Sequence, residues 1–195
     1  MRIGVLLMLS CSALLLGAAS DSVKEPATGV NFPAILDLSG GKVACTGVDV
    51  RTKYLFKIYA VGHYGDPKAW PTEENPLELL QYWTNASALK AFSLRFTYNV
   101  SKDQFRVAWE EGLDHANYQN KALRAALSEV FNIDLPKGDE LRFIAHTDGT
   151  LFVEHNGKSL GSWKDPGLVK AVWSLWMGDK SGAKNRENLV SRESV

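Results

Sequence analysis

Asp148-Gly149 and Asn156-Gly157 constrain the fold of this chain more than any other feature. Each pair supplies the residues that a tight hairpin requires, and together they flank the short run Thr150 to His155. Leu141 to His146, Thr150 to His155 and Lys158 to Trp163 therefore read as a three-stranded meander. Strands joined by such turns run antiparallel, so the helical segments elsewhere must pack onto an antiparallel sheet.

The remaining segments fit that frame. Phe32 to Leu38 reads as a first strand, ended by Ser39-Gly40-Gly41, and Lys42 to Thr46 and Arg51 to Tyr64 read as two more. Gly65-Asp66-Pro67 breaks the pattern. Residues 75–91 are predicted helical from Asn75-Pro76, with Leu77, Leu79, Leu80 and Trp83 on the apolar side. Phe92 to Val100 alternates as a strand. Ser101 and Gln104 have capping-box spacing ahead of a helix carrying Phe105, Ala108, Trp109, Gly112 and Leu113. A further helix is expected over Asn120 to Phe131, and Asp165-Pro166 opens a last one through Trp173 and Trp176 to Gly178. The layout is α+β, with helices together on one side of an antiparallel sheet. The polar stretch 21–31 reads as a flexible lead-in and 181–195 as a polar, loosely ordered tail.

The first twenty residues are expected to lie outside the fold. Met1-Arg2 is basic, Ile3 to Gly17 is apolar, and Ala18-Ala19-Ser20 offers a cleavage site, the pattern of a signal peptide. The apolar run is short for a membrane span, so no stable span is expected after cleavage. A periplasmic or secreted location follows. Cleavage would remove Cys11 and leave Cys45 alone, which excludes an intramolecular disulfide and reads as a small buried residue. Asn85-Ala86-Ser87 and Asn99-Val100-Ser101 match glycosylation sequons, a short pattern. The 22 basic and 22 acidic residues balance, which argues against nucleic-acid binding. His63, His115, His146 and His155 lack metal-ligand spacing, although His146 and His155 flank a hairpin. No phosphate loop, dinucleotide fingerprint or nucleophile elbow is present, so neither metal nor cofactor is expected. Oligomeric state is left open.

Arg51 is the residue that demands a partner. It stands at the mouth of a run, Leu55, Phe56, Ile58, Tyr59, Ala60 and Val61, that reads as a buried strand. A guanidinium there needs an anion, carbonyls or water, because an unpaired buried cation is costly. One candidate partner is Asp49. Lys57 alternates with Phe56 and Ile58 and is expected to face solvent.

This segment resembles the bacterial branch of the chalcone isomerase family, whose block G-x-G-V-R-x-K-x-x-F-K-V-Y-x-x-x-L-Y is matched by Gly47, Val50, Arg51, Lys53, Phe56, Lys57, Ile58, Tyr59 and Tyr64. Asp49 replaces the second glycine. Lys90 to His115, Phe152 to Gly161 and Ala171 to Asp179 resemble three further family blocks in the same order, so the resemblance spans 32–180. It implies a chalcone isomerase-like fold with Arg51 facing an oxyanion, a phenolate in the enzymes and a carboxylate in fatty-acid-binding relatives. It implies Tyr59, where plant enzymes have Thr, as a second contact to that anion, and Phe105 and Trp109 as pocket wall. Phe105 and Gly112 stand where plant chalcone isomerases place a Tyr and an Asn. That departure resembles the non-catalytic members. The expected function is non-catalytic binding of a fatty acid or another amphipathic carboxylate or phenol. The alternatives are an intramolecular lyase closing a chalcone-like phenol and an envelope protein that binds a partner.

Overall fold

A computed structural model describes residues 22–72, 74–181 and 185–191. The expected signal peptide, residues 1–20, lies outside the described residues. Seven antiparallel strands form one sheet in chain order: β3 (Ile35–Leu38), β4 (Gly41–Lys53), β5 (Phe56–Gly65), β6 (Lys90–Phe96), β7 (Glu140–Ala145), β8 (Thr150–His155) and β9 (Lys158–Lys164). Helices α1 (Pro76–Asn85), α2 (Lys102–His115), α3 (Lys121–Val130) and α4 (Pro166–Met177) contribute to the same apolar core on one face of this sheet. The other face carries a smaller core capped by a ribbon of β1 (Ser22–Lys24) and β2 (Asn31–Pro33).

Local chemistry explains most of these elements. Asn156 and Gly157 both adopt positive φ, as their tight turn demands, and Gly149 does so in the preceding turn. Ser101 and Gln104 form a complete capping box at the start of α2. Asn75 and Asp165 cap α1 and α4, each followed by a proline in the first turn.

Four expectations are corrected. The strand read as Arg51 to Tyr64 is two strands, because the chain reverses at Tyr54-Leu55 and pairs Lys53 with Phe56. An apolar dipeptide carries no turn signal, yet Tyr54 takes a left-handed φ of 56° to make it. The helix expected to 91 stops at Asn85, and Lys90 begins β6, where hydrogen bonding to β5 and β7 outweighs helical propensity. The lead-in 21–31 is not loose: Val23 pairs with Phe32, and both side chains are buried. In the tail, Arg186–Val190 forms a 3-10 helix that buries Leu189 and Val190 in the main core; residues 182–184 and 192–195 lie outside the described residues.

That 3-10 helix is held by a buried relay. Thr46 lies at a bulge of β4, its hydroxyl donating to the Leu189 carbonyl at 2.6 Å. His63 Nδ1 lies 2.6 Å from the same hydroxyl, and His63 Nε2 accepts from Trp173 Nε1 of α4 at 3.0 Å. Nε2 therefore carries no proton, and Nδ1 donates to Thr46. Burial holds His63 well below the usual imidazole value, with the Lys90 charge acting the same way. Lys90 is itself fully buried, donating to the Trp83 carbonyl at 2.5 Å and lying over the Trp173 ring. Gly47 lets this helix approach: a Cβ there would meet the Asn188 carbonyl oxygen at 1.9 Å.

Two outcomes are expected. Gly47→Ala destabilises the fold by about 2 kcal/mol in denaturant unfolding, because backbone on both sides must shift. Burial lowers the Lys90 amine to about 7, whereas an unfolded lysine holds its proton to roughly 10.4. Between about pH 7.5 and 8.5 the unfolded chain therefore binds more protons, and stability rises by up to about 1.4 kcal/mol per pH unit. Cys45, pushed up to about 11 by burial, opposes this rise above roughly pH 8.5. Urea unfolding across that window shows the rise in the wild type and not in Lys90→Met.

Candidate ligand-binding cleft

Where α2 and α4 stand over β4 and β5, a cleft of about 370 Å³ opens between sheet and helices. Arg51 and Tyr59 line it from the sheet, Phe105 and Trp109 from α2, and Leu175 and Trp176 from α4. The four residues singled out in the sequence thus lie around one cleft. Arg51 and Tyr59 meet because the unforeseen turn at Tyr54-Leu55 makes them directly opposed partners on β4 and β5. A second irregularity, between Arg51 and Thr52, leaves Ile58 as the extra residue on β5. Ile58 and Tyr59 consequently both line the cleft, although a regular strand would point them to opposite faces.

No hydrogen bond or ion pair joins the half-buried Arg51 guanidinium to a described residue. Asp49, its candidate partner, also lines the cleft but turns to the Val50 backbone and the Asn188 side chain instead. Burial raises the Asp49 carboxyl above its ordinary value, and its Oδ2 has no hydrogen-bond partner. The Tyr59 hydroxyl accepts from Trp176 Nε1 at 3.0 Å. Burial raises this phenol, against the lowering effects of that bond and of the Arg51 charge, so the group keeps its proton and is free to donate.

The apolar wall is aromatic. Trp109 stacks on Phe143 at 5.3 Å, and Phe105 meets Phe131 edge-on at 5.0 Å. The Trp109 Nε1–H is buried without a partner. The Leu175 side chain of α4 occupies the space beside Gly112, where a Cβ would fall 1.9 Å from its Cδ2. Lys53, Tyr98, Glu111, His115 and Lys180 are exposed around the mouth. Sequence reasoning did not assign Trp176 its bond to Tyr59 or place Lys53 and Tyr98 at the opening. Alternation of Tyr98 with Phe96 was the one available signal for the latter.

The other candidates lie elsewhere. Lys57 is exposed and donates to the Ala27 carbonyl. Cys45 is buried, and burial keeps its thiol protonated. His155 bonds Asp139 at 2.5 Å, while His146 lies 3.4 Å from Ser39, so the hairpin histidines have separate partners. Among the described residues, no group of three or more His, Cys, Asp or Glu side chains could hold a metal ion.

The arrangement offers a fixed cation and a hydroxyl donor at one end of an aromatic cleft, which suits an anion attached to an apolar body. A family model described as chalcone isomerase-like matches residues 24–186. No curated protein matches the chain. Among solved structures, a fatty-acid binding protein of Arabidopsis thaliana superimposes with a TM-score of 0.76 at 22% identity, covering 88% of this chain and 96% of that one.

Removing the Tyr59 hydroxyl leaves the Trp176 N–H buried and unpaired. Tyr59→Phe is therefore expected to lose about 1–2 kcal/mol of stability in denaturant unfolding. An unchanged unfolding midpoint would show that this bond adds nothing to the fold.

Proposed function

This chain belongs to the chalcone isomerase-like family, and from that premise we propose that it is a non-catalytic binding protein for an amphipathic carboxylate or phenol, a fatty acid being the leading candidate. One observation carries the reading: Arg51 has no hydrogen bond or ion pair to a described residue and lines a cleft that also presents Ile58, Phe96, Phe105, Trp109 and Trp176. A guanidinium in that position can hold a carboxylate through two parallel hydrogen bonds, and the free Tyr59 O–H adds a third. The apolar body of the ligand then lies along Phe96, Phe105 and Trp109. The fatty-acid binding protein from Arabidopsis thaliana shares this fold, which supports the ligand class. The apolar run at residues 3–17 supports export to a periplasmic or extracellular compartment.

The geometry favours binding over ring closure. Phe105 brings no hydroxyl to the cleft wall, and Gly112 brings no side chain. Orienting a phenol beside Arg51 would still accelerate a cyclisation that proceeds unaided, so the lyase reading is tested by the same variant.

Native mass spectrometry of the purified protein is expected to reveal a co-purifying carboxylate or phenol that is missing from Arg51→Ala. Its affinity in the variant falls about tenfold to a hundredfold, the worth of a charge-assisted hydrogen-bond pair. The unfolding midpoint of the ligand-free variant stays at the wild-type value, because Arg51 has no bond to a described residue to lose. Equal affinity in both proteins would show that the anion is held elsewhere. Accelerated chalcone cyclisation that disappears in Arg51→Ala would replace the binding reading with the lyase one.

A further inference from the structure

We infer that the tip of the β4–β5 hairpin is an interfacial anchor that docks the protein on a lipid surface bearing anionic headgroups. Seven large apolar side chains are exposed among the described residues, and four of them gather here. Tyr54 is 87% exposed and Leu55 93%, at the turn itself. Phe56 follows at 53%, and its ring lies 5.2 Å from that of Tyr98, which is 45% exposed. A two-residue turn in water is ordinarily made by Asn or Gly, which tolerate a positive φ. Here a tyrosine adopts φ 56° and presents its ring to solvent. Neither the backbone nor hydration favours that choice, so a contact outside the folded chain is the physical account of it.

Charge identifies the contact. Lys53 and Lys57 flank the apolar tip and are exposed, Lys57 exchanging its bond to the Ala27 carbonyl for a phosphate on docking, and no acidic residue occurs from Arg51 to Gly65. The chain as a whole has a formal net charge of zero, so this hairpin is a local concentration of cations. Aromatic rings at headgroup level, an aliphatic residue inserted beyond them and lysines reaching back to phosphates form the pattern of an interfacial anchor. The shape fits as well. A convex tip of two residues cannot supply the roughly 800 Å² per partner of a standard protein interface, whereas it can sink into a deformable bilayer surface.

The position has a consequence for the cleft. Lys53 and Tyr98 both line its mouth, and Thr97 ties the start of the next segment to β5 by donating its hydroxyl to the Lys57 carbonyl at 2.7 Å. A docked tip therefore sets the opening beside the lipid surface. This inference goes beyond the binding reading, since docking would stand even if the cleft held nothing.

The test is vesicle flotation with protein beginning at Asp21, so that residues 3–17 do not themselves bind lipid. The strands of both described sheets lie within Ser22–Lys164. Wild-type protein is expected to float with phosphatidylcholine vesicles containing about one-third phosphatidylglycerol, and far less with phosphatidylcholine alone. Raised salt weakens the association. Tyr54→Ser with Leu55→Ser, and separately Lys53→Gln with Lys57→Gln, each reduce partitioning about tenfold or more. The Ser variant keeps the wild-type unfolding midpoint, because both replaced side chains stand in solvent. Failure of the wild type to float, or equal flotation of wild type and both variants, overturns the inference. A wild-type dimer in light scattering that the Ser variant converts to monomer would overturn it too, by assigning the tip to self-association.

Discussion

Two indole N–H bonds determine where the helix layer sits on the sheet. Trp173 of α4 donates to His63, and Trp176, one turn further on, donates to Tyr59, both acceptors lying on β5. An N–H buried without a partner costs as much as several tenths to a few kcal/mol, so a helix carrying two has few positions open to it. The same contacts fix His63 in the tautomer that reaches Thr46, and through Thr46 the carbonyl of Leu189. The 3-10 helix at Arg186–Val190, α4, β4 and β5 are therefore held by one continuous set of bonds. Hydrophobic burial by Phe92 and Phe143 stabilises this arrangement without specifying it, since apolar contact is not directional.

Several polar groups around the cleft are not paired within the described residues. The Trp109 N–H and Asp49 Oδ2 have no partner, the Tyr59 O–H has given its acceptor capacity to Trp176 but kept its proton, and the Arg51 guanidinium has no bond to a described residue. Elsewhere Lys90 finds a carbonyl and Ser93 donates to Glu140 at 2.6 Å, while Tyr64 Oη, Arg95 Nε and Arg142 Nε are also buried without hydrogen-bond partners. The Trp109 N–H, the Tyr59 O–H and the Arg51 guanidinium line one space, where a polar ligand head could bond to them.

Features written into consecutive residues were legible in the sequence. The Asn156-Gly157 turn, the Ser101–Gln104 capping box and the Asp165-Pro166 helix start are each decided within a few residues, and each is present. The antiparallel sheet with helices on one face follows from them. What was not legible depends on distant partners. Val23 is buried only because Phe32 pairs with it, and Leu189 only because Thr46 and the main core receive it. The Tyr54-Leu55 reversal was hidden because apolar residues in a turn imitate a continuing strand. That error conceals the central geometric fact of the cleft, the cross-strand pairing of Arg51 with Tyr59. Their joint interest came from resemblance to a family block, and propensity alone would have placed Arg51 on a surface beside Asp49.

The space itself bears on function. A cavity in a core of this kind forfeits dispersion contacts along its walls, and a larger side chain on α2 would recover some of them. Two positions on the cleft side of that helix are small, Ala108 and Gly112. Gly112 permits the close approach of Leu175, so its size serves packing. Ala108 is exposed beside the cleft. An aromatic cleft with Arg51 at one end, without a hydrogen bond to a described residue, has the chemistry to fit an anion on an apolar body.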